Sequence, residues 1–158
     1  MNHCRCAVLI FITATSGCAS FQSAAPYDIG ALGDSLVHKV CLDSSPTVER
    51  VPNRHVDGVT DTIEHRVCAL GSSTQYVSTQ ASDPSGLAMN LEIHQPGSGV
   101  PPFLEIGKPV SGAVRILGQP TSENGTKATY AFGDFEDAFT IEAPSGVIRS
   151  IAWSWTID

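Results

Sequence analysis

Residues 126–157, TKATYAFGDFEDAFTIEAPSGVIRSIAWSWTI, hold three apolar runs separated by two turn signals. The runs at 126–132, 138–143 and 147–157 have strand length and are rich in Thr, Tyr, Phe, Ile and Trp, types that fit a pleated, half-buried surface. Gly133 with Asp134, and Pro144, Ser145, Gly146, interrupt them over spans that suit antiparallel hairpins. In the last run Val147, Ile151, Trp153, Trp155 and Ile157 share one parity, broken only by Arg149, while Ser150, Ala152, Ser154 and Thr156 hold the other. Strand side chains alternate between faces, so this pattern buries one side of a sheet and leaves the other polar. Trp153 and Trp155 fall on the same side. They are core if a helix covers that side, and a contact anchor if one of them stays exposed.

Upstream, Pro109 suits the first turn of a short helix, Val110, Val114 and Leu117 recur at helical spacing, and Gly118 with Pro120 stops it. Residues 104–158 thus read as a helix followed by a three-stranded meander. Further back, Leu87, Met89, Leu91 and Ile93 alternate with Ala88, Asn90, Glu92 and His94, which puts four apolar side chains on one face of a strand. Two more strands are expected at 63–70 and 74–80, with Gly71, Ser72 and Ser73 as the turn between them. Leu32, Leu36, Val37 and Val40 recur at helical spacing over 29–41, weakened by Gly30 and Gly33, and a strand at 37–42 is the alternative. Pro46 and Pro52 mark a loop. The fold class expected for 27–158 is a single α+β domain, mainly antiparallel sheet with one or two short helices packed on one face.

The N-terminus carries Arg5, a mostly apolar run over 7–15, and then Thr15, Ser16, Gly17, Cys18. That arrangement resembles a bacterial lipoprotein signal, too short to span a bilayer. The resemblance implies removal of residues 1–17, fatty acylation at Cys18, and a flexible Ala, Ser, Gln and Pro tether over 18–26. Ala19 after the Cys implies the periplasmic face of the outer membrane. A plain secretory signal is the alternative, and both export the chain. Cys4 and Cys6 would leave with the leader and Cys18 would carry lipid, so Cys41 and Cys68 remain as the pair in the folded body. In an oxidising compartment such a pair is read as a disulfide, and neither residue sits in a CxxC spacing. The net charge of −7 argues against contact with nucleic acid and favours a basic protein partner.

Ile106 and Gly107, the short helix, then Leu117, Gly118, Gln119, Pro120, the strand with Tyr130 and the strand closed by Gly146 and Val147 are similar to the SmpA/OmlA small outer-membrane lipoproteins. Related helix-plus-meander modules occur in beta-lactamase-inhibitor-like proteins. The resemblance covers about residues 104–152 and implies a small antiparallel sheet on helices that binds other proteins, with no catalytic residue among the matching positions. The strand departs from the family in having Ala128 and Thr129, not Trp, before Tyr130.

The densest polar cluster is His55, Asp57, Asp61, Glu64 and His65. Two imidazoles and a carboxylate in His55, Asp61 and His65 are the residues of an alternative reading, a metal-dependent or acid–base hydrolase. Against it, Asp57 followed by Gly58 signals a turn, and Asp61 with Thr62 then reads as a solvated entry to a strand. No GxSxG elbow, HExxH helix or phosphate-binding loop occurs. The expectation is therefore no enzyme, no metal and no cofactor. Asp134, Phe135, Glu136 and Asp137 form an acidic turn with one aromatic, the partner-binding candidate. The function expected is non-catalytic protein binding, as an envelope assembly accessory or an inhibitor or immunity protein, with a purely structural lipoprotein as a further option.

Overall fold

The computed structural model describes residues 27–81, 85–133 and 136–157. The leader, the tether with Cys18, and Asp134 and Phe135 of the acidic turn lie outside the described residues. Among the described residues ten elements follow one another: α1 (Ile29–Val37), β1 (Thr47–Pro52), β2 (Thr60–Val67), β3 (Gly71–Val77), β4 (Leu87–Ile93), α2 (Val110–Leu117), β5 (Ser122–Asn124), β6 (Lys127–Ala131), β7 (Ala138–Glu142) and β8 (Ser150–Ser154). All eight strands join one antiparallel sheet in the order β1-β2-β3-β4-β8-β7-β6-β5. The order is palindromic. Each half is a helix followed by a four-stranded meander, and the halves meet where their last strands, β4 and β8, pair over Asn90↔Ser154 to Ile93↔Ile151.

The register puts Leu91, Ile93, Ile151, Trp153, Phe139, Ile141 and Tyr130 on one face, and all seven are buried. Helix α1 lies against that face. Asp28 caps it by accepting from the Ala31 amide at 2.9 Å, the local device that starts a helix after Tyr27. The Trp153 indole donates to the Ile29 carbonyl at 2.8 Å and its ring packs on Phe139 at 4.6 Å between centroids. Gly33 makes the approach possible: a Cβ there would stand 2.5 Å from Trp153 Cδ1, closer than real contacts allow. The residue that weakens the helix on propensity is thus the one that lets helix and sheet close. Residues 38–43 turn away from the helix end and form no strand. Cys41, at φ 63°, forms the expected disulfide with Cys68 across a Cα–Cα distance of 5.3 Å.

Three expectations are corrected. The loop read at Pro46 and Pro52 contains strand β1, because an edge strand tolerates a residue without an N–H on its open side. The turn between β2 and β3 is at 68–70, closed by Cys68 N to Gly71 O at 3.0 Å, and Gly71 is the first residue of β3. Gly71 is glycine because a Cβ would overlap the Glu92 carbonyl of the neighbouring strand. The four-residue apolar face of β4 is also broken. A β-bulge shifts the register so that Gln75 faces Ala88 while Thr74 faces Asn90, which leaves Met89 as the extra residue. Leu91 and Ile93 stay in the core, whereas Leu87 is 59% exposed.

The C-terminal meander has four strands, since 122–124 pairs with 127–129 around the Asn124, Gly125 turn. Its last strand is shorter than expected. Val147 forms a bridge to Pro109 and is exposed, Ile148 is buried, and β8 runs only from Ser150. Trp153 is core, while Trp155 follows the strand end, half-buried and edge-on to Phe132. Pro109 caps α2, whose buried residues are Ala113 and Leu117, with Val110 and Val114 half-buried. No helix among the described residues is long and apolar enough to cross a membrane.

Candidate functional site

Asp61 is the most informative side chain outside the core. It lies on β2 beside the edge strand and is wholly buried, contrary to a solvated strand entry. Its carboxylate accepts from four donors: the Tyr76 hydroxyl, the Ser78 hydroxyl at 2.9 Å, the Thr79 amide at 3.1 Å and the Asn53 side-chain amide at 2.7 Å. Asn53 in turn accepts from the His55 and Val56 amides through its oxygen, at 2.7 and 2.8 Å. One carboxylate thus ties the β1–β2 turn to the end of β3. A buried charge is tolerated when its lone pairs are filled in this way.

The Tyr76 hydrogen bond, followed by those from Ser78, Thr79 and Asn53, holds the Asp61 carboxyl below its ordinary range against the opposing effect of burial. The same bond, with burial and the Asp61 charge, raises the Tyr76 phenol, and the Arg54 guanidinium acts in the other direction. A carboxyl depressed in the folded state contributes stability that is present above its unfolded value near 4 and is lost as pH falls through its folded value. Asp61→Asn is expected to lower the urea midpoint at pH 7, with the difference from wild type shrinking below about pH 4. Tyr76→Phe, which removes the main cause of the depression, should move the acid limb of the wild-type curve to higher pH. Parallel stability curves for wild type and Asp61→Asn from pH 7 to 3 would show that the carboxylate is not linked to folding.

The rest of the polar cluster is dispersed. His65 shares the Asp61 face, but its Nδ1 sits 3.0 Å from Thr74 Oγ1 on an exposed stretch. Glu64 turns to the other face and pairs with Arg66 at 2.9 Å, and Arg66 also donates to the Ser44 carbonyl at 2.7 Å. Asp57 and His55 are exposed in the β1–β2 turn. No group of three or more His, Cys, Asp and Glu side chains stands in metal-holding positions among the described residues. In the acidic turn Glu136 is exposed, while Asp137 Oδ1 accepts from the Thr156 amide at 2.8 Å and so fastens the β6–β7 turn to the C-terminal segment.

Beside the Asp61 cage lies a cleft of about 330 Å³. Val51, Ile63, Leu87, Met89 and Ile157 form its apolar wall, and Asn53, Tyr76 and Ser78 back it with groups already bonded to Asp61. Pro52, Arg54 and His55 complete the lining, which contains no carboxylate. Asn53, Tyr76 and Ser78 carry no sequence motif. They lie 8, 15 and 17 positions from Asp61, and only strand pairing gathers them. A second hollow of about 380 Å³ separates the C-terminal turn of α1 from β2 and β3, where His38 Nδ1 meets Gln75 Nε2 at 2.6 Å.

The other broad feature is the sheet face opposite the buried one. The register places Thr74, Asn90, Glu92, Ala152, Thr140 and Thr129 there, and Thr129 and Thr140 stand 3.5 Å apart through their hydroxyl oxygens. These side chains are small or polar, and none of the six is buried. Comparison with known protein families, with curated proteins and with solved structures finds no match to this chain.

Proposed function

We propose that this chain is a non-catalytic protein-binding domain, tethered by lipid on Cys18 to the periplasmic face of the outer membrane, with its open sheet face as the contact surface. In this reading α1 and α2 close the same face, and the four strands on either side of the β4–β8 junction present the other as one platform. The observation that carries it is the alternation of burial across the β4–β8–β7–β6 part of the register, apolar on one side and small or polar on the other. Eight strands about 4.8 Å apart and roughly five residues long at about 3.3 Å each make a surface of about 600 Å². That approaches the roughly 800 Å² per partner of a standard interface. The small module expected from the SmpA/OmlA and beta-lactamase-inhibitor-like resemblance is the kind that binds proteins, and the net charge of −7 favours a basic partner. Saturation of Asp61 by four donors supports the reading against the His55, Asp61, His65 hydrolase, because an acid or base needs a lone pair or proton free to move.

The test is capture of partners from envelope extract by wild type, by Thr140→Arg with Ala152→Arg on the open face, and by Glu136→Lys in the acidic turn. Loss of the captured protein in the double variant, with the thermal midpoint unchanged, is expected. Identical partner lists for all three would sink both the platform and the acidic-turn surface. For the anchor, Cys18→Ser should move the protein from the membrane fraction to the soluble one and remove the mass of the acyl chains. Unchanged fractionation and mass would refute lipidation.

A further inference from the structure

The cleft beside Asp61 has features that the protein-binding reading leaves unused. Its mouth exposes a large apolar side chain, Leu87, at a position where the alternation of β4 would have buried it. The bulge at Met89 is the cause. It sends Met89 and Leu87 toward this side, where they meet Ile63, Val51 and Ile157. A bulge that re-aims apolar side chains away from a core and into a hollow is a feature folds use to shape sites. Leu87 and Ile157 also line a neighbouring hollow of about 290 Å³ with Ala88, Trp155 and Asp34, so the apolar track continues past the cleft.

Charge along this track is uneven. The chain carries −7, yet the cleft lining holds no carboxylate, because the one behind it, Asp61, is enclosed and fully hydrogen-bonded. Arg54 forms no ion pair or hydrogen bond among the described residues and stands with His55 at one end. Asp34 stands at the other end. A bound anion is attracted at the Arg54 end and repelled at the Asp34 end, and a guanidinium offers a carboxylate two parallel donors. Each hollow has a volume near the lower bound of small-molecule sites, about 300 Å³.

The geometry points to a binding site for a single-chain amphiphilic carboxylate, its head on Arg54 and its alkyl chain along Ile63, Met89, Leu87 and Ile157 toward Trp155. The cleft opens on the same side of the sheet as that face, at the β1–β4 end with Ile63, Tyr76 and Leu87, while Thr140 and Ala152 lie on β7 and β8 outside its lining, so the two readings are tested independently.

Met1 and Met89 are the two methionines of the chain, which makes the Met89 methyl a resolvable NMR reporter inside the cleft. The full chain, labelled at its methionine methyls, is titrated with dodecanoate, dodecyl phosphate and dodecyltrimethylammonium below their micelle concentrations, and with a short peptide ending in two leucines. Dodecanoate is expected to shift the Met89 methyl saturably. Arg54→Glu should weaken it about tenfold or more, and the cationic amphiphile should bind at least that much less tightly than dodecanoate. Leu87→Asp should weaken dodecanoate from the apolar end, and both variants should keep the wild-type thermal midpoint. Arg54→Gln replaces Arg54→Glu if the charge reversal unfolds the chain. Absence of a saturable shift, unchanged affinity in the Arg54 variant, or equal affinity for the cation overturns the proposal. Tighter binding of the peptide or of dodecyl phosphate than of dodecanoate overturns the assignment of the ligand class.

Discussion

Trp153→Ala is expected to destabilise the fold by about 3–5 kcal/mol, the range for removing a large buried aromatic side chain. The residue is 1% exposed, touches Phe139 across the β7–β8 pair and sits beneath Gly33 of α1. Its loss opens a cavity and also leaves the Ile29 carbonyl without the indole donor at the start of the helix. Small domains hold only about 5–15 kcal/mol in all, so this single change removes a large share. For a domain of this size the thermal midpoint should fall by roughly 10–25 °C. Trp153→Phe separates the two contributions, since it keeps much of the packing and deletes the hydrogen bond, and it should cost about 1–3 kcal/mol. Urea melts at pH 7 of both variants provide the measurement. A loss under about 1 kcal/mol for Trp153→Ala would mean that α1 does not rest on this ring.

Removal of the Cys41–Cys68 bridge is the second large effect. The half-cystines are 27 residues apart in sequence, and chain-entropy reasoning gives about 3.5 kcal/mol for opening a loop of that size. The bridge holds the turn after α1 onto the β2–β3 turn, next to the Arg66 bond to the Ser44 carbonyl. Cys41→Ser with Cys68→Ser should lower the urea midpoint by an amount equivalent to about 3.5 kcal/mol. Because most of that contribution acts on the unfolded chain, reduction of the wild type by dithiothreitol should reproduce it. Equal stability of oxidised and reduced protein would show that the two segments are held together without the bond.

How much of this was legible in the sequence depended on how local each signal was. Val110 to Leu117 reads as a helix because Pro109 and Gly118 mark its ends within the same dozen residues. The β6, β7 and β8 hairpins follow from alternation and turn residues that are neighbours in the chain. Strand β1 did not read as a strand, because two prolines at its borders look like a loop until it is known that the strand lies at a sheet edge. The bulge at Met89 was equally hidden: four alternating apolar residues give no sign that the partner strand will skip one. Gly33 carried only a propensity cost in sequence and Gly71 read as a turn residue, and the close approaches that require them involve Trp153 and Glu92, each distant in the chain.

Local chemistry therefore determined, from the sequence alone, the class of fold, the ends of β4, α2 and β7, and the cysteine pair, and it raised the expectation of export. Only the tertiary structure decided that the two meanders join through β4 and β8 into one sheet, and that Asp61 is a buried anchor for Asn53, Tyr76 and Ser78. It alone placed an apolar wall beside Arg54, which has no ion pair among the described residues. The physical reason is range. Periodicity, caps and turns act over a few residues, whereas strand order, burial of a charge and the lining of a cleft depend on which distant segments pair, and pairing is settled by the free energy of the whole sheet.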